Sequence, residues 1–403
     1  MHTNKLIDRE IVRTEKDLRD LCAELEGIGR FALDTEFLAE RSYVPQLCLI
    51  QVATETFTAL IDTVALPNLK PFWSLVQNPA IEKVLHAARE DLRLAYYGGG
   101  KVVPCNVFDT QIAAGIVGLP QYPLSYGRLV EGICGERLSK SETRSEWDKR
   151  PLTVEQIRYA RDDVRFLLSV ADKLKSTLSG LDRTSWMDEE MERYYSPATF
   201  EPDPEAAFQR VRAPRQGFTR REAAIVRAIS AWRERYAEMT NQSVRFILKD
   251  ETLIELVLRP PQRISDFVRV RGMALGDDVT LGPQILDCIN SARRLSDVEL
   301  PPPIAGSADS EAPSARNVAD LLFVLASALC LQNSIAPELA VSRATAAEIL
   351  IDPETAQILR GWRGREIGRS LLAFVLGESR VDMSVVNRSL ALGFTPNSEL
   401  LDV

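Results

Sequence analysis

The chain has 403 residues, of which 45% are hydrophobic and 26% charged, with a formal net charge of −8 at pH 7. That length predicts two or three domains, and the composition is ordinary for a globular protein in water. The acidic balance excludes an overall basic surface and leaves room only for a local basic patch facing nucleic acid. The apolar run Leu321 to Leu331 is too short to span a bilayer, so no membrane association is expected. No basic segment followed by an apolar one opens the chain, which argues for a cytoplasmic location. The six cysteines form no Cys-x-x-Cys pair and the only histidines are His2 and His86, a pattern that suits a reducing compartment and argues against a zinc site.

Over residues 1–195 strand-like and helix-like segments alternate. Leu18, Leu21 and Leu25 recur at helical spacing across Glu15 to Leu25. Three β-rich runs follow, Phe31 to Glu36, Leu47 to Ala53 and Thr58 to Asp62, with gaps short enough to predict antiparallel hairpins. Pro71 to Val76 reads as a helix and Lys83 to Ala87 as a fourth strand. The helix carrying Asp91, Leu92 and Leu94 comes next and ends at Gly98 to Gly100. Val107 to Thr110 begins another strand-to-helix unit, and Leu124 to Cys134 and Thr153 to Ser176 each read as one helix. A meander followed by alternating helices and strands predicts an α/β domain with a mixed sheet.

Residues 196–216, rich in proline and charge, read as a linker. Residues 217–296 are helical in pattern, opening on a capping box at Thr219 and Glu222 with Ile225, Ile229, Trp232 and Tyr236 behind it. Residues 297–314 are too poor in apolar side chains to fold and read as a second linker, and 315–403 as a second all-α domain. Residues 208–294 hold 16 Arg and Lys against 10 Asp and Glu, a net of +6 that leaves −14 for the rest. In an acidic chain this marks the first helical module as the candidate nucleic-acid contact, with Arg220, Arg221, Arg227 and Arg233 as candidate phosphate ligands.

The acids carry the chemistry. Asp34 and Glu36 sit two apart in a strand flanked by Phe31, Leu33 and Phe37, so both carboxylates face one side. A buried pair of like charges loses hydration and repels itself, which a cation would relieve. Asp91 and the pair Tyr159 and Asp163 add two more acids and a phenol on other elements. Tyr159 and Asp163 share a helical face, whereas Asp162 points about 100° away. Four carboxylates suit hard divalent ions, and two ions roughly 4 Å apart can neutralise a phosphodiester, activate water and stabilise the leaving oxygen. With a free pKa near 10, the phenol is better suited to orienting that water than to taking its proton.

The order Asp34-x-Glu36, Asp91, Tyr159-x-x-x-Asp163 resembles the three motifs of the tyrosine-bearing DEDD exonucleases. Tyr43 to Gln51, His86 to Asp91, Val107 to Thr110 and Leu138 to Leu152 narrow the resemblance to the ribonuclease D family, although Glu146 stands where that family often has Asp. Residues 219–295 resemble an HRDC domain at Ala231 to Glu234, Asn241, Asp250 to Leu253, and Arg271-Gly272 after Pro260-Pro261. Residues 315–395 occupy the place of the family's second, divergent HRDC-like domain. The resemblance implies a ribonuclease-H-like α/β fold followed by two helical HRDC-type domains. It also implies a 3′→5′ exoribonuclease that uses Mg²⁺ or Mn²⁺, two ions per site. Asp34, Glu36, Asp91 and Asp163 would be the metal ligands and Tyr159 the water-orienting phenol. The expected substrates are 3′-extended tRNA precursors and other structured RNAs, trimmed by a monomer that releases nucleoside 5′-monophosphates. A 3′→5′ exodeoxyribonuclease of DNA repair and a non-catalytic RNA-binding adaptor are the alternatives.

Overall fold

The computed structural model describes residues 6–138, 145–273, 281–306, 313–386 and 389–397. Its contacts divide the chain into one unit of Met1–Glu36, Leu47–Pro197 and Ala312–Val403 and another of Phe37–Gln46 and Ala198–Glu311.

The first unit is built on a six-stranded sheet: β1 (Ile7–Asp8), β2 (Arg30–Leu38), β3 (Gln46–Ala53), β4 (Phe57–Asp62), β5 (Glu82–Leu85) and β6 (Val107–Asp109). The strands lie in the order β1-β4-β3-β2-β5-β6. β3 and β4 are antiparallel, with Gln51 opposite Leu60, while β2, β5 and β6 run parallel. The mixed sheet is therefore as expected. The edge strand β1, parallel to β4, was not legible, because a two-residue strand has no periodicity to read. Every residue of β4 is buried, as for a strand covered on both faces.

Around the sheet lie α1 (Glu15–Ile28), α2 (Lys70–Val76), α3 (Arg89–Gly98), α4 (Thr110–Ile116), α5 (Tyr126–Cys134), α6 (Val154–Arg165), α7 (Leu167–Gly180) and α8 (Thr184–Glu192). α1 buries Leu18, Leu21, Cys22 and Leu25 and stops at Gly29, whose φ of 74° lets its N–H reach the Leu25 carbonyl. Beneath it Phe31 meets Phe72, ring centroids 6.0 Å apart, and burial of each such side chain contributes about 2 kcal/mol. The single helix expected over Thr153 to Ser176 is broken at Phe166, whose N–H donates to the Tyr126 hydroxyl at 3.1 Å. α6 keeps its place on the sheet through Arg161, buried and donating to the Thr58 hydroxyl of β4 at 2.8 Å.

The C-terminal part of this unit holds α13 (Pro313–Gln332), α14 (Pro337–Ala340), α15 (Arg343–Ile351), α16 (Gly361–Arg363) and α17 (Arg369–Val375), the numbers α9 to α12 falling in the second unit. Trp362 stacks on Trp186 of α8 at 4.9 Å and donates its indole N–H to buried Glu190 at 2.8 Å. The region is not all-α, as expected, but ends in an antiparallel hairpin of β7 (Ser379–Val386) and β8 (Ser389–Pro396). Val381, Met383 and Val385 alternate with polar residues, a period of two that no helix satisfies.

The second unit contains α9 (Arg220–Thr240), α10 (Val244–Ile247), α11 (Asp250–Leu258) and α12 (Leu281–Arg294). The Thr219–Glu222 capping box is formed, and α9 ends on Asn241 in the left-handed region. Ile225, Ile229, Leu253, Leu256, Phe267, Ile285 and Ile289 make its core. Residues 196–216, expected as a linker, carry a 3₁₀ helix at Pro204–Arg210 and bury Phe200, Ala207 and Val211. In the second expected linker, Ile304 exchanges backbone bonds with Phe218 at 2.8 and 2.9 Å, while residues 307–312 lie outside the described residues. No helix among the described residues is long and apolar enough to cross a membrane.

Candidate active site

The sheet delivers Asp34 and Glu36 from β2 and α6 delivers Asp163. One ligand oxygen from each lies within 4.8 Å of the others. Tyr159, one turn earlier on α6, donates its hydroxyl to Asp163. Asp91 is buried in the first turn of α3, and a carboxylate oxygen accepts the hydroxyl of Thr35, the residue between Asp34 and Glu36. The four acids and the phenol expected at the site all belong to the first unit, and Asp34 feels the charges of Asp91, Asp163 and Glu36.

The electrostatics are those of a site that wants positive charge. Burial raises the Asp34 carboxyl well above the ordinary range, and the charges of Asp91, Asp163 and Glu36 add to it. Burial followed by repulsion from Asp163 and Asp91 pushes Glu36 up to about 9. Burial likewise brings Asp91 and Asp163 to about 7, against the Thr35 and Tyr159 hydrogen bonds that favour their ionised forms. Such carboxyls hold protons unless a cation replaces them, and clustered oxygens are the ligands hard divalent ions prefer. The donor set therefore fits divalent metal.

Two contributors, Asp109 and Tyr126, escaped the sequence reading, whereas His86, at the end of a strand-like run, is expected from the sequence as a hydrogen-bonded structural histidine. The Asp109 carboxylate, buried at the start of α4, accepts the backbone N–H groups of Ala87 and Ala88 at 3.0 and 2.9 Å, and that of Gln111 at 2.8 Å. It thereby fixes the turn, with Ala87 at φ 57°, from which α3 and Asp91 start. The only available signal was an Asp at a strand-to-helix junction, which reads as a helix cap. His86 donates Nε2–H to the Leu124 carbonyl at 3.0 Å, and Nδ1 meets Thr110 at 3.0 Å. Burial holds its imidazole below the usual histidine range, so it serves as a neutral structural group. Tyr126, half-buried, terminates α6 through Phe166.

Of the four arginines picked as phosphate ligands, three donate to partners within the second unit and the fourth packs on a ring. Arg220 donates to the carbonyls of Asp297 and Leu300 at 2.8 and 2.7 Å, and Arg221 to that of Leu295 at 2.7 Å. Arg227 lies over the Phe208 ring at 4.3 Å. Arg233 is buried and donates to the Leu248 carbonyl and Asp250, both at 2.7 Å. Charge counting cannot distinguish an arginine that binds outward from one that caps a neighbouring helix. Arg212, Arg215, Arg245 and Lys249 are among the exposed basic side chains of this unit, and Phe246, beside Arg245, is 65% exposed. Glu146, the departure from the family pattern, is also exposed, and the neighbouring residues 139–144 lie outside the described residues.

Residues 9–179 match the family model described as a 3′-5′ exonuclease, and residues 222–289 match the HRDC domain. A ribonuclease D of Gluconacetobacter diazotrophicus is 36% identical over 91% of this chain and 92% of its own length. One from Bartonella henselae is 33% identical over 92% of this chain and 90% of its own. Among solved structures, Escherichia coli RNase D, described as an exoribonuclease involved in structured RNA processing, superposes with a TM-score of 0.78 at 27% identity. The match covers 91% of this chain and 98% of that one. The catalytic core of RRP6 from Trypanosoma brucei shares the fold, with a TM-score of 0.56 at 24% identity over 73% of this chain and 81% of that one.

Proposed function

Because the chain belongs to the ribonuclease D family of 3′→5′ exoribonucleases, we propose that Asp34, Glu36, Asp91 and Asp163 are its metal-binding carboxylates and Tyr159 its water-orienting phenol. The observation that carries this reading is the convergence of three carboxylates within 4.8 Å, one of them bonded to Tyr159. Two divalent cations, Mg²⁺ or Mn²⁺, would neutralise the non-bridging phosphate oxygens and make a bound water more acidic. Asp34, Glu36 and Asp163, grouped within 4.8 Å, would hold one ion, and Asp91, bonded to Thr35, would serve the other. The phenol of Tyr159, anchored through Asp163, fixes where the attacking oxygen stands. That oxygen would give up its proton to solvent and bond to phosphorus as the P–O3′ bond breaks and O3′ takes a proton from solvent, so a nucleoside 5′-monophosphate leaves and the shortened RNA keeps a 3′-hydroxyl.

The proposed substrates are structured RNAs with single-stranded 3′ tails, tRNA precursors foremost, handled by a cytoplasmic monomer. The HRDC unit would hold the RNA body through exposed Arg212, Arg215, Arg245 and Lys249, with Phe246 offering a face for stacking. Residues 315–403 would act as a second, divergent HRDC-like module, with the hairpin of β7 and β8 appended to its helices.

Tyr159→Phe tests this reading. It keeps the ring and loses only the hydroxyl, so kcat on a 3′-extended tRNA precursor is expected to fall by about 100-fold while KM changes little. Single-turnover rates at saturating RNA measure this. A rate within twofold of wild type would remove the phenol from the mechanism.

A further inference from the structure

We infer that Arg150, Asp62 and Trp147 are positioning residues that hold the Tyr159 ring against Asp163, an inference that rests on the water-orienting reading of that phenol. Trp147 is buried, and its ring centroid lies 6.1 Å from that of Tyr159 with the planes at 40°. Its indole N–H is buried without a hydrogen-bond partner, so the ring is placed by packing and by the turn that carries it.

That turn is fastened at both ends. Arg150 donates Nε–H to Asp62 at 2.8 Å. Its Nη2 donates to Asp62 and the Cys48 carbonyl at 2.7 and 2.8 Å, and Nη1 to the carbonyls of Trp147 and Lys149, both at 2.7 Å. All five donors of the guanidinium are thereby used. Asp62 ends β4 and is 1% exposed, so the anchor lies inside the sheet. At the other end Gln156 donates to the Ser145 hydroxyl at 2.9 Å while accepting the Thr153 N–H at 2.9 Å. Burial would raise the Asp62 carboxyl, but the Arg150 guanidinium draws it below the usual range, so the carboxyl stays ionised.

The device acts on the phenol separately from the metal ligands. α6 has its own attachment to the sheet through Arg161, so loosening the turn leaves Asp163 in place. What it frees is the half-buried ring of Tyr159, which Trp147 otherwise confines. A lysine at position 150 keeps the charge and loses the planar fork that gathers β3, β4 and the turn.

The test uses the full-length protein with Arg150→Lys, Trp147→Phe and Tyr159→Phe, singly and with each of the first two combined with the third. Single-turnover rates on a 3′-extended RNA, Mn²⁺ titrations and thermal melts are recorded for each. Arg150→Lys and Trp147→Phe are expected to lower kcat by roughly 10- to 100-fold, with KM and the Mn²⁺ midpoint within about twofold. In the Tyr159→Phe background each should cost less than about twofold more, because the group they position is already gone. Undiminished losses in that background, or a full rate in the folded single variants, would overturn the inference. Should Arg150→Lys not fold, Trp147→Phe decides alone. If Tyr159→Phe itself retains the full rate, the phenol reading fails first and takes this inference with it.

Discussion

Replacing Asp34 by Asn is expected to lower exonucleolytic cleavage by roughly 10³- to 10⁴-fold, the rate equivalent of losing several kcal/mol of metal-derived stabilisation. Asp34 is the carboxyl whose charge is coupled to all three of the other acids, so its removal touches every metal ligand at once. Asn preserves shape and some oxygen donation, and the loss therefore reports charge rather than packing. RNA binding measured by gel shift in chelator should be unchanged, because the basic side chains proposed to hold RNA belong to the other unit. Stability should move in the opposite direction to activity. With one of four mutually repelling carboxyls gone, the metal-free variant should melt above the metal-free wild type at pH 8. A variant as active as wild type, or less stable without metal, would contradict the assignment of Asp34.

Metal removal is expected to abolish activity and to expose a particular pH dependence of stability. Folded Glu36 titrates at about 9 and Asp91 and Asp163 at about 7, against ordinary values of 4.5 and 3.8. Between those limits the folded chain binds more protons than the unfolded one. The contribution of these groups is thus fully present below about pH 4 and is lost as pH rises toward 9. Divalent metal replaces the protons, so the stabilisation it gives should be small at pH 5 and grow toward pH 8.5. At a metal concentration of 100 times Kd it would amount to about 2.7 kcal/mol. Melting temperatures with chelator and with Mn²⁺, taken for wild type and Glu36→Gln, isolate the cluster from other titrating groups. A metal-induced shift independent of pH, or equal in Glu36→Gln, would argue against it.

How much of this was legible depended on how far apart the cooperating residues lie. Asp34 with Glu36, and Tyr159 with Asp163, announce themselves because strand and helix periods place them together whatever surrounds them. Asp91 stands alone on its element, and the resemblance of its flanking sequence strengthened its selection. The supporting residues are different in kind. Asp62 and Arg150 meet across a gap of 88 positions, and an Arg or Asp at a turn gives no hint of its partner. Asp109 lies in a segment read only as the start of a strand-to-helix unit, yet its carboxylate both caps α4 and holds the turn before α3. The break at Phe166 comes from the Tyr126 hydroxyl, contributed 40 residues earlier, while the local pattern runs on as a helix. The C-terminal hairpin was a misread period, since alternation was present from Arg380 to Val385. The arginines of the HRDC unit show the limit of charge counting, which registers sign and misses the carbonyls those side chains already satisfy.

The most direct test of the central claim follows a 3′-extended tRNA precursor labelled at its 5′ end, beside a DNA strand matching the extension, in Mg²⁺, Mn²⁺ or chelator. The metal-dependent exoribonuclease described here predicts an RNA ladder shortening one nucleotide at a time from the 3′ end, with nucleoside 5′-monophosphates released. The ladder should be absent in chelator and in Asp34→Asn, and the RNA should be shortened faster than the DNA. Internal cuts, loss of the 5′ label, or shortening that persists in chelator would contradict it.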